Sequence, residues 1–357
     1  MEDENGVNML SEFEIGRYRG LESLKLKDLK RVNVLAGPNN CGKTSILEAI
    51  ILSGLFNDTN DVELLLDALS SRYYKFSPEF FDSMFAIGCE PVISLKSKFD
   101  SDIRNLHTQI TYDKSQIIEK DTSEGIRNIF QLDFEYFYSG EETVHDRYRM
   151  NFEDLGNHYN VKIRHGQNNK LKLQVPCKYI SSSRFDRTER FLKDVDMVLN
   201  QNLRQELIEI LQIFDEQIIN FEIVGSKRVI KLFKESRQPL TLYDYGNGMY
   251  KAFYIAVAAL LAKDGILLVD EVETGIHNKA LEHFISKLLS VCEKNNVQLF
   301  LTTHSLETID VLLEDCRDTL DDVAFYHIRN SEEQSVTKRY SGKKLLDLRT
   351  EIGFDIR

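Results

Sequence analysis

One eight-residue segment restricts this chain to very few architectures. Gly37, Pro38, Asn39, Asn40, Cys41, Gly42, Lys43 and Thr44 form a complete G-x-x-x-x-G-K-[ST] loop. An apolar run with strand character, Val32 to Ala36, leads into it, and Ser45 to Leu52 leads out with helical spacing. Strand, glycine loop, helix is the order in which backbone N–H groups converge on phosphate oxygens at a helix N-terminus. Lys43 is expected to reach the β- and γ-phosphates of a nucleoside triphosphate, and Thr44 to offer its hydroxyl to Mg²⁺. The stretch from Gly37 to Ser45 is therefore the expected nucleotide-binding segment, with ATP and Mg²⁺ as the expected cofactors.

A second segment supplies what such a loop lacks. Ile266, Leu267, Leu268 and Val269 are apolar and end in Asp270 and Glu271. This pattern predicts a buried parallel strand with two acids at its C-terminal edge, where ligands bind in open α/β sheets. Asp270 is placed to hold Mg²⁺, and Glu271 to orient and polarise an attacking water. Taken alone, the same residues describe a core strand and a solvated acidic turn. A third apolar run, Val297 to Leu301, ends in Thr302, Thr303, His304 and Ser305. His304 there suits a hydrogen bond to a γ-phosphate. It equally suits a cap on the helix that Ser305, Leu306 and Glu307 announce, and the residues alone leave both readings open.

In combination these motifs resemble the ABC-type ATPase heads of the SMC/RecF/OLD group. The likeness starts at Phe13 to Leu21, which is similar to the family's opening strand and its FRGL segment. It continues through Asn33 to Thr44, resumes at Tyr179 to Arg184, and runs through Asp270, Glu271, His277, Thr303, His304 and Ser305. It implies an α/β P-loop NTPase with a mixed central sheet flanked by helices, an antiparallel β-lobe and a short helical insertion. It adds Arg19 to the nucleotide contacts and makes Lys43, Glu271 and His304 the catalytic set. In the family two heads meet head-to-tail, and a signature loop of one caps the ATP of the other. The matching loop here runs from Leu242 to Met249, with Gly246, Asn247 and Gly248 as the phosphate-facing residues. Asp244 departs from the family's serine, and a carboxylate aimed at a γ-phosphate repels it. Either the loop is displaced, or Asp244 faces away, or capping across the pair is weak. His277 stands where transporter-type heads carry aspartate, which favours an OLD-type subgroup. A convincing glutamine for the loop that couples metal to the second lobe is missing.

Composition bounds the remainder. With 357 residues, 42% of them hydrophobic, the chain can bury a sizeable core in two lobes. Its acidic start, Met1 to Asn5, is unlike a signal peptide, and its longest apolar stretch, Ala252 to Ala262, is too short to cross a bilayer. Five scattered cysteines without C-x-x-C spacing fit a reducing cytoplasm and no structural zinc. A net charge of −12 argues against indiscriminate coating of DNA. Three lysine and arginine groups stand out: Lys25, Lys27, Lys30 and Arg31; Lys162, Arg164, Lys170 and Lys172; Arg184, Arg187 and Arg190. All are interleaved with acids or apolar residues and read best as solvated faces.

Four segments are expected. Residues 1–58 hold the first part of the head, 59–180 a β-rich lobe, 181–235 a helical arm and hairpin, and 236–357 the rest of the head. Residues 59–70 look helical, and alternating runs from 91 to 180 predict antiparallel sheet. Arg187 to Phe214 has helical spacing suited to a short arm or a dimer contact. Heptad arrays are absent, which excludes an SMC-type coiled coil. Only 53 residues follow His304, too few for the nuclease domain that OLD proteins carry there.

Three classes of function remain by analogy with the family. One is a cytoplasmic ATP-dependent dimeric switch over a separate effector, such as a nuclease or toxin, in bacterial anti-phage defence. The second is a RecF-like DNA-repair clamp, which makes DNA a further candidate partner. The third is the ATPase of a transporter, which the divergent signature loop disfavours. No membrane partner is expected.

Overall fold

The computed structural model describes residues 9–53, 82–85, 90–99, 104–112, 118–122, 125–139, 143–154, 159–165, 175–182, 189–226, 228–235, 237–330 and 335–357. The helix expected over 59–70, most of the strand expected at 171–175, and Lys170, Lys172, Arg184 and Arg187 lie outside these residues. The chain opens with β1 (Leu10–Tyr18), β2 (Leu21–Leu26) and β3 (Val32–Ala36), then passes through the phosphate loop into α1 (Lys43–Leu52). Six strands follow: β4 (Val92–Phe99), β5 (Arg104–Tyr112), β6 (Ile118–Thr122), β7 (Gly125–Ser139), β8 (Thr143–Asp154) and β9 (Tyr159–His165). Next come β10 (Cys177–Ile180), α2 (Glu189–Asn200), α3 (Arg204–Gln212), β11 (Ile218–Val224), β12 (Val229–Lys234) and β13 (Arg237–Thr241). A 3₁₀ turn (Leu242–Tyr245) leads into α4 (Asn247–Leu261), β14 (Ile266–Val269), α5 (Asn278–Lys294), β15 (Gln298–Thr303) and α6 (Leu306–Asp315). The chain ends with β16 (Val323–Asn330), β17 (Ser335–Ser341) and α7 (Gly342–Ile352).

Two compact units emerge. The first comprises residues 1–29, 39–175 and 328–338. Its sheet runs β2-β1-β4-β5-β7-β8-β9, with β6 paired to β7, and every pairing is antiparallel. Alternation explains the arrangement: along β4 every second side chain is buried, Ile93, Leu95, Ser97 and Phe99. That period of two gives the sheet one inner face, and a slip by one residue would turn it inside out. Helix α1 packs against β1 in this unit and is buried from Ser45 to Leu52.

The second unit comprises residues 30–38, 176–327 and 339–357. Its main sheet has the order β10-β14-β15-β3-β16-β17. The pairs β10–β14, β14–β15, β15–β3 and β3–β16 are parallel. Both β3 and β14 are wholly buried, as continuous apolar runs in a parallel sheet should be. Asn33 is the polar exception on β3. Its amide accepts from Lys30 N–H (2.8 Å) and donates to the Lys30 carbonyl (2.6 Å), so its burial leaves no orphan.

Helix α4 is buried at nearly every position and packs on α2, α3 and α5. Phe253 meets Phe191 and Phe221 edge-on, with ring centroids 6.2 and 5.3 Å apart. The segment expected to be a helical arm is therefore part of the core. Phe191, Val195, Val198, Leu207, Ile210 and Leu211 are all buried, and the stripe is broken into two helices at Asn202, whose φ is 60°. The expected hairpin is β11–β12, extended by β13 into a three-stranded sheet. Among the described residues no helix is long and apolar enough to cross a membrane.

Candidate functional site

In the first unit, the phosphate loop closes at Gly42, which caps α1 with φ 97°. A side chain there would be strained, and its Cβ would lie 2.5 Å from Leu21 Cδ2. Asn40 is also left-handed, at φ 63°. Neither a capping side chain nor an acid occupies the first turn of α1, so the positive end of the helix keeps the character that attracts phosphate. Lys43 is only 7% exposed, and its Nζ lies 3.9 Å from Cys41 Sγ. Burial pushes the Cys41 thiol up, against the pull of the Lys43 ammonium. A thiol held protonated is a poor nucleophile, which fits a tolerated small residue better than a redox sensor.

Arg19, expected beside the nucleotide, is engaged with α1. Its Nε donates to Tyr18 Oη (3.0 Å) and lies 3.2 Å from Glu48 Oε2, which also accepts from Tyr18 Oη (3.0 Å). Glu48 is fully buried and Arg19 nearly so. Burial, reinforced by the Glu48 charge, pushes the Tyr18 phenol above its ordinary range. A guanidinium between a phenol and a buried carboxylate fixes the first strand to the helix that carries Lys43 and Thr44.

In the second unit, the acids sit at the end of β14, where the sequence predicts them. Asp270 is 2% exposed, and its Oδ1 accepts from Thr302 Oγ1 at 2.6 Å. The same hydroxyl oxygen accepts the Glu271 N–H at 2.7 Å. Glu271 has φ 45°, an uncommon left-handed conformation for a residue with a side chain. Its carbonyl accepts from Thr274 N–H (3.0 Å) and Lys251 Nζ (2.5 Å), and its Oε2 from Thr274 Oγ1 (3.1 Å). Burial pulls the Lys251 ammonium down to about 8, with Glu273, Asp270 and Glu271 opposing.

His304 stands on the neighbouring strand end, about half exposed. It is not the helix cap: Ser305 caps α6 by accepting from Thr308 N–H (3.2 Å). The imidazole Nδ1 lies 3.2 Å from Glu273 Oε1, which also accepts from His304 N–H (3.0 Å) and Thr303 Oγ1 (2.9 Å). That carboxylate orients the ring and leaves Nε2 as the nitrogen available to a ligand. His277 caps α5, accepting from Lys279 N–H at 3.4 Å.

The signature-like loop resolves the question of Asp244. The carboxylate turns back on its own loop, and its Oδ2 accepts from Thr241 N–H and Thr241 Oγ1, both at 2.8 Å. This is a capping box on the 3₁₀ turn, made by residues three apart. Gly246 and Asn247 open α4, as expected. Gly248 has a different use: a Cβ there would lie 2.3 Å from the Gly275 carbonyl oxygen. Its bare backbone lets the first turn of α4 pack directly on the turn that follows Glu271.

Sequence reasoning gives no role to Lys251, Glu273, Thr274, Thr302 or Thr303. Lys251 signals itself as the one charged residue in the apolar run 247–261, and Glu273 as a third acid beside Asp270 and Glu271. The donor set suits hard ligands. A threonine hydroxyl and an aspartate carboxylate are oxygen donors of the kind Mg²⁺ takes from a protein when phosphates and water complete its shell. Among the described residues no group of three or more His, Cys, Asp or Glu side chains could hold a metal alone.

Residues 32–310 match the family described as "AAA domain, putative AbiEii toxin, Type IV TA system", well over half of the chain. An ATP/GTP phosphatase of Helicobacter pylori is 23% identical over 361 residues, covering 94% of this chain and 97% of that protein. Among solved structures, an Smc head domain with an extended coiled coil, bound to the C-terminal domain of ScpA from Pyrococcus furiosus, superposes with a TM-score of 0.52 at 10% identity. It covers 97% of this chain and 99% of its own. An SmcHead bound to the C-winged helix domain of ScpA gives 0.50 at 11%, covering 95% and 99%. At such identities the likeness concerns the fold, and it is the fold expected from the loop and the acidic strand. The chain belongs to the AAA domain family described as putative AbiEii toxin of type IV TA systems, and it is an ATP-hydrolysing enzyme built on an SMC-like, ABC-type head.

Proposed function

We propose that this ATPase is a cytoplasmic switch of the OLD-like type, which closes as a head-to-tail pair on ATP and thereby controls a separate effector, a nuclease or toxin, in anti-phage defence. The observation that carries the reading is the turn from Glu271 to Glu273. It holds one carboxylate in a strained conformation and uses the next to orient His304. Strain of this kind persists where surrounding contacts over-determine it, and it clusters at sites of chemistry and switching. Lys43 binds the β- and γ-phosphates, and the Thr44 hydroxyl and the Asp270 carboxylate are the donors assigned to Mg²⁺, which would neutralise phosphate charge. Glu271 takes a proton from the attacking water. His304 donates to the γ-phosphate through Nε2 while Glu273 holds its Nδ1. Loss of the γ-phosphate releases that contact, which gives hydrolysis a route to the rest of the molecule.

The pair is supported by the loop at Gly246 and Asn247, which starts a helix. The nearest acid, Asp244, is folded back on Thr241 and so does not oppose a phosphate. Mixing Lys43→Ala chains with Gly246→Arg chains tests it. Each homodimer lacks one half of both composite sites, whereas the heterodimer keeps one site whole, so turnover should return on mixing. No return despite demonstrated exchange of subunits refutes the pair. Glu271→Gln with ATP should hold the closed dimer in gel filtration and retain the effector from a lysate of the native host. Stimulation of turnover by DNA, with no protein retained, would instead support the RecF-like reading.

A further inference from the structure

We propose that Lys251 is a positioning residue for hydrolysis, which holds the Glu271 carbonyl from the buried face of α4 and so ties the carboxylate to the helix behind the signature loop. The inference rests on the assignment of Glu271 as the general base. Lys251 is 0% exposed in a helix that is otherwise apolar from Met249 to Leu261, apart from its two tyrosines. A lysine is almost never fully buried unless something holds its charge, and a methionine would fill the same space without loss of hydration. Here the ammonium donates to the carbonyl oxygen of Glu271 at 2.5 Å. That carbonyl belongs to the residue with φ 45°. A left-handed glutamate stays in place only while its neighbours hold it. Thr302 Oγ1 holds its N–H, and Thr274 holds its carbonyl and carboxylate, all from the strand-end layer itself. Lys251 alone among these contacts reaches in from a different element.

A second contact makes the connection rigid. Gly248 lies one turn before Lys251, on the same face of α4. It touches the Gly275 carbonyl so closely that a Cβ would stand 2.3 Å from the oxygen. The turn from Glu271 to Gly275 is thus pinned to α4 at both of its ends, by backbone against backbone at Gly275 and by an ammonium at Glu271. Residues 246–248 open this same helix. A displacement of the loop by anything that docks on it passes to Glu271 through a single helical turn. The geometry points to a short mechanical link: docking at the signature loop sets the pose of the base.

The test is a double-mutant cycle on the full chain, with ATP turnover read at saturating ATP and Mg²⁺ and binding read with a fluorescent ATP analogue. Lys251→Met should lower kcat by about 10- to 100-fold, the scale of loss from a misplacement of about 1 Å. KM and analogue affinity should stay within about threefold, and the thermal midpoint should hold or rise as a buried charge is removed. In a Glu271→Gln background the same substitution should cost nothing further, because its route of action is already gone. A wild-type kcat for Lys251→Met overturns the inference. So does a second, equal loss in the Glu271→Gln background, which would show action independent of the base. If Lys251→Met does not fold, Lys251→Gln takes its place in the cycle. Failure of both to fold also overturns the inference, since Lys251 would then support the unit rather than Glu271. Wild-type turnover by Glu271→Gln alone is a separate result and refutes the assignment of the base.

Discussion

Thr302 offers the sharpest single-atom perturbation. Its Oγ1 is buried, donates to Asp270 Oδ1 at 2.6 Å and accepts the Glu271 N–H at 2.7 Å. Thr302→Val removes this oxygen and keeps the shape. The bond to the Asp270 carboxylate should contribute about 2 kcal/mol, and an orphaned Glu271 amide should cost about 1 kcal/mol more, for a loss near 3 kcal/mol. A domain of ordinary stability, about 5–15 kcal/mol, survives that loss. Turnover should suffer more. The left-handed backbone of Glu271 costs about 1–2 kcal/mol, and the Thr302 anchor is one of the contacts that offset it. If that support of about 1 kcal/mol disappears, the productive pose is depopulated about 5-fold, and kcat falls with it. The assay pairs urea unfolding with steady-state turnover across a Mg²⁺ titration. Thr302→Ser restores the oxygen and should restore both readouts. A Thr302→Val chain that loses stability as predicted yet turns over at the wild-type rate would refute the reasoning, because the hydroxyl would then serve folding alone.

Lys43→Ala should lose about 2.7–4 kcal/mol of transition-state stabilisation, a 10²- to 10³-fold fall in kcat; unchanged turnover would remove the phosphate loop from the site. Arg19→Met breaks a buried ion pair with Glu48 and should cost about 3 kcal/mol of stability with ATP KM changed less than about threefold. The reverse pattern, intact stability with a raised KM, would make Arg19 a nucleotide contact. Lys251 also predicts a pH dependence. Burial lowers its ammonium from 10.5 to about 8 in the folded chain. Between those values the unfolded chain binds the proton more tightly, so stability rises with pH across that window, by up to about 3 kcal/mol. Lys251→Met should flatten this limb in denaturation curves taken from pH 7 to 10.5, and an unchanged limb would contradict the cause given.

What was legible in the sequence is what local chemistry enforces. The glycine loop and the acids after Ile266 to Val269 each depend on residues a few positions apart, and each stands where expected; the helix after His304 also starts where expected, with Ser305 and not His304 as its cap. The apolar runs of β3 and β14 announce burial on both faces, and α4 announces itself by its composition. The capping box at Thr241 and Asp244 was equally local. Its signal is the hydroxyl of Thr241 three residues before the acid, the spacing of a capping box. The rest depends on distant contacts. Nothing near Lys251 in the chain reveals that its ammonium meets a carbonyl twenty residues on, since that depends on how α4 lies on the turn. Phe191 to Leu211 has the spacing of an exposed arm as well as of a core helix pair, and only α4 decides between them. Strand β13, Arg237–Thr241, carries Pro239 and lacks alternation, so its pairing with β12 gave no signal in advance.

The fold-back of Asp244 onto Thr241 has a consequence for how this loop could have changed over evolutionary time. An acid arriving at position 244 before a hydroxyl stood at 241 would have been held by the 241 N–H, a donor that every residue except proline supplies. With threonine present, the same acid gains the hydroxyl as a second donor. The acid can therefore arrive first, and Thr241 then strengthens a cap that already exists. Homologues with Asp at 244 should favour serine or threonine at 241 and should lack proline there.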